Sequence, residues 1–465
     1  MIKNKLKNIG AFSIGPVIGA VFSFITVPII THFISPSEYG KTSMFVLTQS
    51  ILTLIIFLGF DQAYIREYHE QRDQKDKLLF NAMVFPFILT IFIEIIMFFF
   101  AGRISVLLFD VSSEKKCVYY LMILLPFVIV ENFSLLKVRM EEKGIIYSSF
   151  IIIQKTLILV LTILFFYFYN KSFESVILGT VTAEILNAII MMFTIIKPRF
   201  YSIDTSMIRK MMRFGVPLIF SSIIGLVLSS TDKIMLRSLC TYKELGLYSS
   251  AFKIVSVLSI LQQCFTLVWT PIAYRWHSEK RNKEDFSLVG SIVLIAMTIL
   301  CLGILLCKEL VVYLLGSSYR EAIYIMPCLL LYPVIYTVSE VTSLGISFSR
   351  KTGYNIIISA LCGGINIVLN YFLIPVLGGK GAAVATGVSY VGFFFLRTFI
   401  SRKLWWKFRV SKYLFFLTVL LINCLFHTFL TGTVPYIISA ISFIGVMLAS
   451  AREVRKMIPL IKKNI

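Results

Sequence analysis

The chain has 465 residues, 58% of them hydrophobic and 15% charged, with a formal net charge of +21 and a mean hydropathy of +0.86. A water-soluble domain of this length could not keep so much apolar surface from water. The eight cysteines are scattered through apolar runs without a CxxC or a Cys/His cluster, which argues against a disulfide framework or a metal site.

Taken in order, the apolar runs predict an all-α polytopic membrane protein with about 14 transmembrane helices. They cover 8–34, 42–64, 78–100, 117–137, 145–169, 174–196, 214–238, 246–274, 285–307, 321–347, 353–376, 381–400, 413–431 and 435–450. Turn residues such as Ser35-Pro36-Ser37, Asn170-Lys171-Ser172, Lys197-Pro198-Arg199, Gly316-Ser317-Ser318 and Gly378-Gly379-Lys380 mark the breaks. Loops are short throughout. Most of the 45 lysines and arginines fall on alternate segments: the start, 65–77, 137–143, 197–213, 275–283, 350–351, 397–412 and 452–463. The positive-inside rule then puts both termini in the cytoplasm. The positive charge is read as topology signal and attraction to anionic membrane lipid, with no nucleic-acid partner. No cleavable signal peptide is expected, because the basic start runs into an apolar stretch that is too long and lacks a small-residue cleavage site.

The stretch Phe214 to Phe252 repeats the opening of the chain. Pro36-Ser37-Glu38-Tyr39-Gly40 lies over Tyr242-Lys243-Glu244-Leu245-Gly246, and Ala63-Tyr64-Ile65-Arg66 is echoed by Ala273-Tyr274-Arg275. One six-helix unit used twice predicts two lobes, 1–200 and 201–408, in a pseudo-two-fold arrangement. Residues 409–465 would add two transmembrane helices and a basic cytoplasmic tail.

Charges inside apolar helices are expensive and are functional candidates by default. Lys155 lies about 15 Å into its span and needs a wet cavity or an acidic partner, for which Glu184 stands at comparable depth. Lys233 and Arg237, four apart, share a helix face, and Lys253 follows on the next span. Snorkelling to the interface is the structural alternative for these three. Together the four cations suit a cavity for an anionic group that crosses the bilayer, such as a phosphate or diphosphate. Asp61, Glu131, Glu184, Asp232 and Glu340 are the candidates for ion coupling or a gate, with Asp61 either pairing with Arg66 at the cytoplasmic mouth or marking a helix end. Asn366 and Asn370, one turn apart, read as interhelix glue. Pro16, Pro28 and Pro217, with nearby glycines, are expected to bend spans 1 and 7. No Walker A, HExxH or Gly-x-Ser-x-Gly motif is present, so neither enzyme nor primary pump is expected, and no cofactor.

Ser35-Pro36-Ser37-Glu38-Tyr39-Gly40, Gly59-Phe60-Asp61-Gln62-Ala63 through Arg66, and Thr231-Asp232-Lys233 with Glu244-Leu245-Gly246-Leu247-Tyr248-Ser249 resemble a known family. They look like the Wzx-type polysaccharide flippases of the multidrug/oligosaccharidyl-lipid/polysaccharide exporter superfamily, over spans 1 to 12. The resemblance implies a two-lobed transporter that moves a polyprenyl-diphosphate-linked oligosaccharide to the outer leaflet by alternating access. Such transport serves surface polysaccharides of the lipopolysaccharide, capsule or teichoic type. The resemblance places Asp61, Arg66, Lys233, Arg237 and Lys253 on cavity-forming helices. It also implies work alongside a polysaccharide polymerase and chain-length machinery. Fourteen spans rather than twelve depart from the pattern in a way shared with the lipid II flippase branch. The competing readings are a cation-coupled multidrug exporter of the same superfamily, a membrane polymerase or glycosyltransferase, and a non-transporting scaffold. A drug cation should prefer an acidic cavity, and those enzymes usually present catalytic residues on a sizeable outer loop, which this chain lacks.

Overall fold

A computed structural model describes residues 2–197 and 199–464, with side chains for all of these except 2–11, 72, 220, 221, 224, 227, 228 and 452–464. Pro198 of the expected turn, the lysine side chains of the basic start and those of the basic tail thus lie outside the described residues. Every regular element described is helical. Contacts divide the chain into two compact units, Met1–Ser230 and Thr231–Ile465.

The first unit contains α1 (Ile2–Phe33), α2 (Pro36–Phe57), the short α3 (Phe60–Glu67), α4 (Lys75–Phe109), α5 (Lys115–Met140), α6 (Gly144–Phe168) and α7 (Phe173–Met191). A π turn, Met192–Ile196, ends α7, and α8 (Thr205–Leu239) carries the chain across the unit boundary. The second unit continues with α9 (Tyr242–Val255), α10 (Leu258–Ser278), α11 (Lys283–Leu306) and α12 (Lys308–Tyr313). A 3-10 stretch, Ser317–Tyr324, meets α13 (Met326–Thr342) at a bend of 55°. Then come α14 (Leu344–Phe348), α15 (Gly353–Leu377), α16 (Gly379–Leu404), α17 (Ser411–Phe429) and α18 (Val434–Asn464).

Among the described residues, 12 helices are long and apolar enough to cross a membrane, or 13 if the bent pair is one span. The expected span 214–238 falls in α8, where several side chains lie outside the described set and Asp232, Lys233 and Arg237 interrupt the apolar run. The expected single span 246–274 lies within one candidate span, Tyr242–Ser278, whose helix is interrupted at Ser256 and Val257. Pro16 and Pro28 in α1 and Pro217 in α8 leave those helices unbroken.

The repeated turn motif is a helix start in both units. Ser35 caps α2: its hydroxyl accepts from the Glu38 N–H (3.4 Å), and the Glu38 carboxylate accepts from the Ser35 N–H (3.0 Å). Thr241 caps α9 by accepting from the Glu244 N–H (3.5 Å). Glu244 then departs from its counterpart, because its carboxylate accepts from the Gly379 N–H at 2.7 Å and so ties α9 to the start of α16. Gly378 has φ +57°, and a Cβ there would run into that carboxylate, so the turn needs glycine.

Lipid gives helices little hydrophobic reason to associate, so small residues and short polar contacts do the joining. The Gly15 N–H donates to Ser148 Oγ (2.9 Å) between α1 and α6, and the Gly345 N–H donates to Ser401 Oγ (2.9 Å) between α14 and α16. At the start of α3, Gly59 meets the backbone of Gly215 on α8, with no room for a side chain on either residue. Buried His427 on α17 bonds Ser439 on α18 (2.8 Å), which donates to Asn423 (2.8 Å), while Lys308 Nζ donates to the His427 carbonyl (3.0 Å). That ladder binds the last two helices into the second unit.

Candidate functional site

Among the described residues, each unit holds a polar group built on acids inside its apolar helices. In the second unit the group is built on Asp232 of α8. Asn370 donates to Oδ1 at 2.6 Å and Asn366 to the same oxygen at 3.2 Å. Thr386 of α16 donates to Oδ2 at 2.6 Å, as does the Tyr248 hydroxyl of α9 at 2.5 Å. Asn366 and Asn370 reach one carboxylate oxygen together because residues four apart stack on one helix face. The two amides are also linked, Asn370 Nδ2 to Asn366 Oδ1 at 3.0 Å, while Asn370 Oδ1 is buried without a donor. Rotating either amide would exchange its donor for an acceptor oxygen. The same residues can therefore offer donors to a carboxylate, or a ring of oxygens to a small hard cation. Among the described residues no three His, Cys, Asp or Glu side chains gather as a metal site.

Next to Asp232, Lys233 lies 5.8 Å from the Phe252 ring, and the charges acting on it are Lys253 and Asp232. Arg237, one turn on, lies over the Tyr242 ring at 4.6 Å. Arg237 continues the helix face of Lys233.

In the first unit the group comprises Glu131 of α5, Lys155 of α6 and Glu184 of α7. Gln49 of α2 donates to Glu184 at 2.7 Å, and Asn187 hydrogen-bonds Glu131. Lys155 and Glu184 both act on Glu131 through space. Gly19 of α1 leaves room for the Lys155 stem. The expected Lys155–Glu184 partnership is one of charge at a distance: among the described residues no ion pair within 4.0 Å joins them.

The expected pairing of Asp61 with Arg66 does not form. Asp61 accepts from its neighbour Gln62 (2.8 Å), while Arg66 stands 4.0 Å from Glu67 and covers the Phe214 ring at 4.4 Å. Five residues along a helix turn a side chain about 140° away, so the two could not share a face. Glu340 is paired with Arg397 at 2.9 Å, and that guanidinium also bonds Ser339 and lies over Phe393 at 5.0 Å. Arg397 was assigned to an inner loop, but α16 extends to Leu404 and carries it inside the helix. Tyr248, Thr386, Gln49 and Asn187 escaped the sequence reading because isolated polar residues at these positions look like ordinary helix contacts. The spacing of Asn366 and Asn370 was the one local signal.

Residues 5–277 match the family described as polysaccharide biosynthesis protein. The chain is similar to a probable low-salt glycan biosynthesis flippase, Agl15, of Haloferax volcanii, with 22% identity over 186 residues. That match spans 39% of this chain and 39% of the relative's length. In fold it is similar to the lipid II flippase MurJ in an inward closed conformation, with TM-score 0.71 and 16% identity over 95% of this chain and 99% of that one. An inward-facing multidrug resistance MATE family transporter of the MOP superfamily gives TM-score 0.62 and 14% identity over 83% and 94%. The resemblance carried by the turn motifs is borne out at the level of family and fold.

Proposed function

The chain belongs to the polysaccharide biosynthesis protein family, and from that premise we propose that it is a flippase for a polyprenyl-diphosphate-linked oligosaccharide. It carries its substrate from the cytoplasmic to the outer leaflet of the cell membrane by alternating access between two six-helix lobes, with both termini cytoplasmic. The observation that supports this reading is the set of cations on α8, Lys233 over the Phe252 ring and Arg237 over the Tyr242 ring, beside a carboxylate that neutral donors already surround. Asp232 accepts four neutral donors, and cations on apolar helices beside it favour an anionic group in the substrate.

The cations assigned to the diphosphate in this reading are Lys155, Lys233, Arg237, Lys253 and Arg66. The Asp232 group exchanges a cation for the amide donors, and the Glu131–Glu184 pair trades a proton, so translocation is ion-coupled. The product feeds a polysaccharide polymerase and its chain-length machinery. Export of organic cations, as the shared fold with MATE transporters would allow, fits less well, because a cationic site repels such cargo.

The test is translocation of a lipid-linked oligosaccharide in proteoliposomes. Lys233→Ala, Arg237→Ala and Lys155→Ala should each slow it at least about tenfold, the equivalent of one lost charge-assisted hydrogen bond. A wild-type protein that moves no such lipid and exports organic cations instead would overturn the function.

A further inference from the structure

An apolar cleft of about 370 Å³ opens in the first unit, at the end where its basic loops gather. Phe80, Met83 and Val84 of α4 and Val130 of α5 form one wall, and the π turn with Lys197, Arg199, Phe200 and Tyr201 forms the other. The π turn makes the opening. The Lys197 N–H reaches back to the Met192 carbonyl (2.9 Å), and Lys197 itself adopts φ +50°, so the chain leaves α7 sideways. The segment beyond is then fastened to α4. Asn81 donates to the Ser202 carbonyl (3.3 Å) and accepts from the Asp204 N–H (2.7 Å), while Lys77 bonds Asp204 at 2.8 Å.

The mouth of this cleft is positively charged. Asp76 is neutralised by Lys137 at 2.9 Å. Lys197 and Arg199 are exposed and form no ion pair among the described residues. Phe200, 95% exposed, and Tyr201 set their rings against Phe80 at 6.4 and 6.2 Å, the aromatic placement typical of a membrane interface. An apolar slot at acyl-chain depth, two uncompensated cations above it and aromatic rings at headgroup level match one ligand chemistry.

We propose that this cleft is a binding site for an anionic glycerophospholipid, with an acyl chain between α4, α5 and the π turn and the phosphate held by Lys197 and Arg199. The cleft contains none of the residues assigned to transport. Its occupant contributes to the joint between α4, α5 and the end of α7.

Native mass spectrometry of the detergent-purified, delipidated full chain tests the proposal, with dioleoylphosphatidylglycerol and dioleoylphosphatidylcholine as probes. Wild type should retain one phosphatidylglycerol per chain in preference to phosphatidylcholine. Lys197→Gln with Arg199→Gln, both at exposed positions, should weaken retention about 25-fold, at about fivefold per cation. Val84→Trp, which fills the slot without touching charge, should reduce retention of the same lipid. Equal retention by wild type and both variants, or no preference for the anionic lipid, would overturn the site. Loss in the charge variant with full retention by Val84→Trp would overturn the slot and leave only a surface charge effect.

Discussion

Asp232 and the Glu131–Glu184 pair are both acids inside apolar helices, yet their surroundings are opposite. Asp232 receives four donors from three other helices. Glu184 receives one from Gln49, Glu131 is bonded by Asn187, and the nearby acids act on each other with Lys155 at a distance. A carboxylate wrapped in donors is held in place, and losing it strands every donor. Two carboxylates that share a dry site rarely both ionise, so such a pair suits a group that gains and loses a proton. The two units thus each bury an acid, one enclosed by donors and the other beside a second acid.

The sharpest break of this contrast is Asp232→Ala. It leaves the two amides and two hydroxyls around it unpaired, and we expect a loss of about 3 kcal/mol or more in denaturant unfolding in detergent, together with loss of transport. A variant as stable as wild type would show that the donors do not depend on the carboxylate.

Glu184→Gln and Glu131→Gln should act differently. Each removes one member of an acid pair without changing shape, so stability should shift by less than about 1 kcal/mol. The change should appear in the pH profile of transport, flattened in each variant. An unaltered profile with lowered stability would make the pair structural, like Asp232.

The smallest effect is expected at acids in water. Hydrogen bonds from Lys77 hold the Asp204 carboxyl below its usual range, and Lys210 does the same for Glu70. A carboxyl lowered on folding contributes stability above its unfolded pKa of about 4 and loses it as the pH falls through the lower folded value. Hydrogen exchange at residues 202–210 should therefore quicken only in acid below about pH 4, and less so at high salt, where the ties are already weakened. Exchange that quickens near neutral pH would place the controlling group elsewhere.

Local chemistry was legible in the sequence where a contact is made within one turn. The Ser35 and Thr241 caps, and the shared face of Asn366 and Asn370, follow from residue type and spacing. The partner of those asparagines was not legible, because Asp232 lies 134 and 138 residues away on another helix and its direction depends on helix rotation. Asp61 and Arg66 were close in sequence but on different faces. The break at Ser256 and Val257 left no mark in hydropathy, because the apolar run continues through it. Arg397 shows the same limit in charge counting, since a cation near a helix end looks like a loop residue until its acid, Glu340, is seen one helix away.

The boundary between the two units falls inside α8, with no connecting loop between them. Severing the chain between residues 230 and 231 would leave each fragment half a helix, with up to four backbone groups open at the cut. In hydrocarbon each open group costs several kcal/mol, so such fragments should not complement one another when co-expressed. A nick before residue 205 would spare α8 and leave both pieces with whole helices. The boundary between the two units is thus drawn by their contacts and not by any break in the backbone.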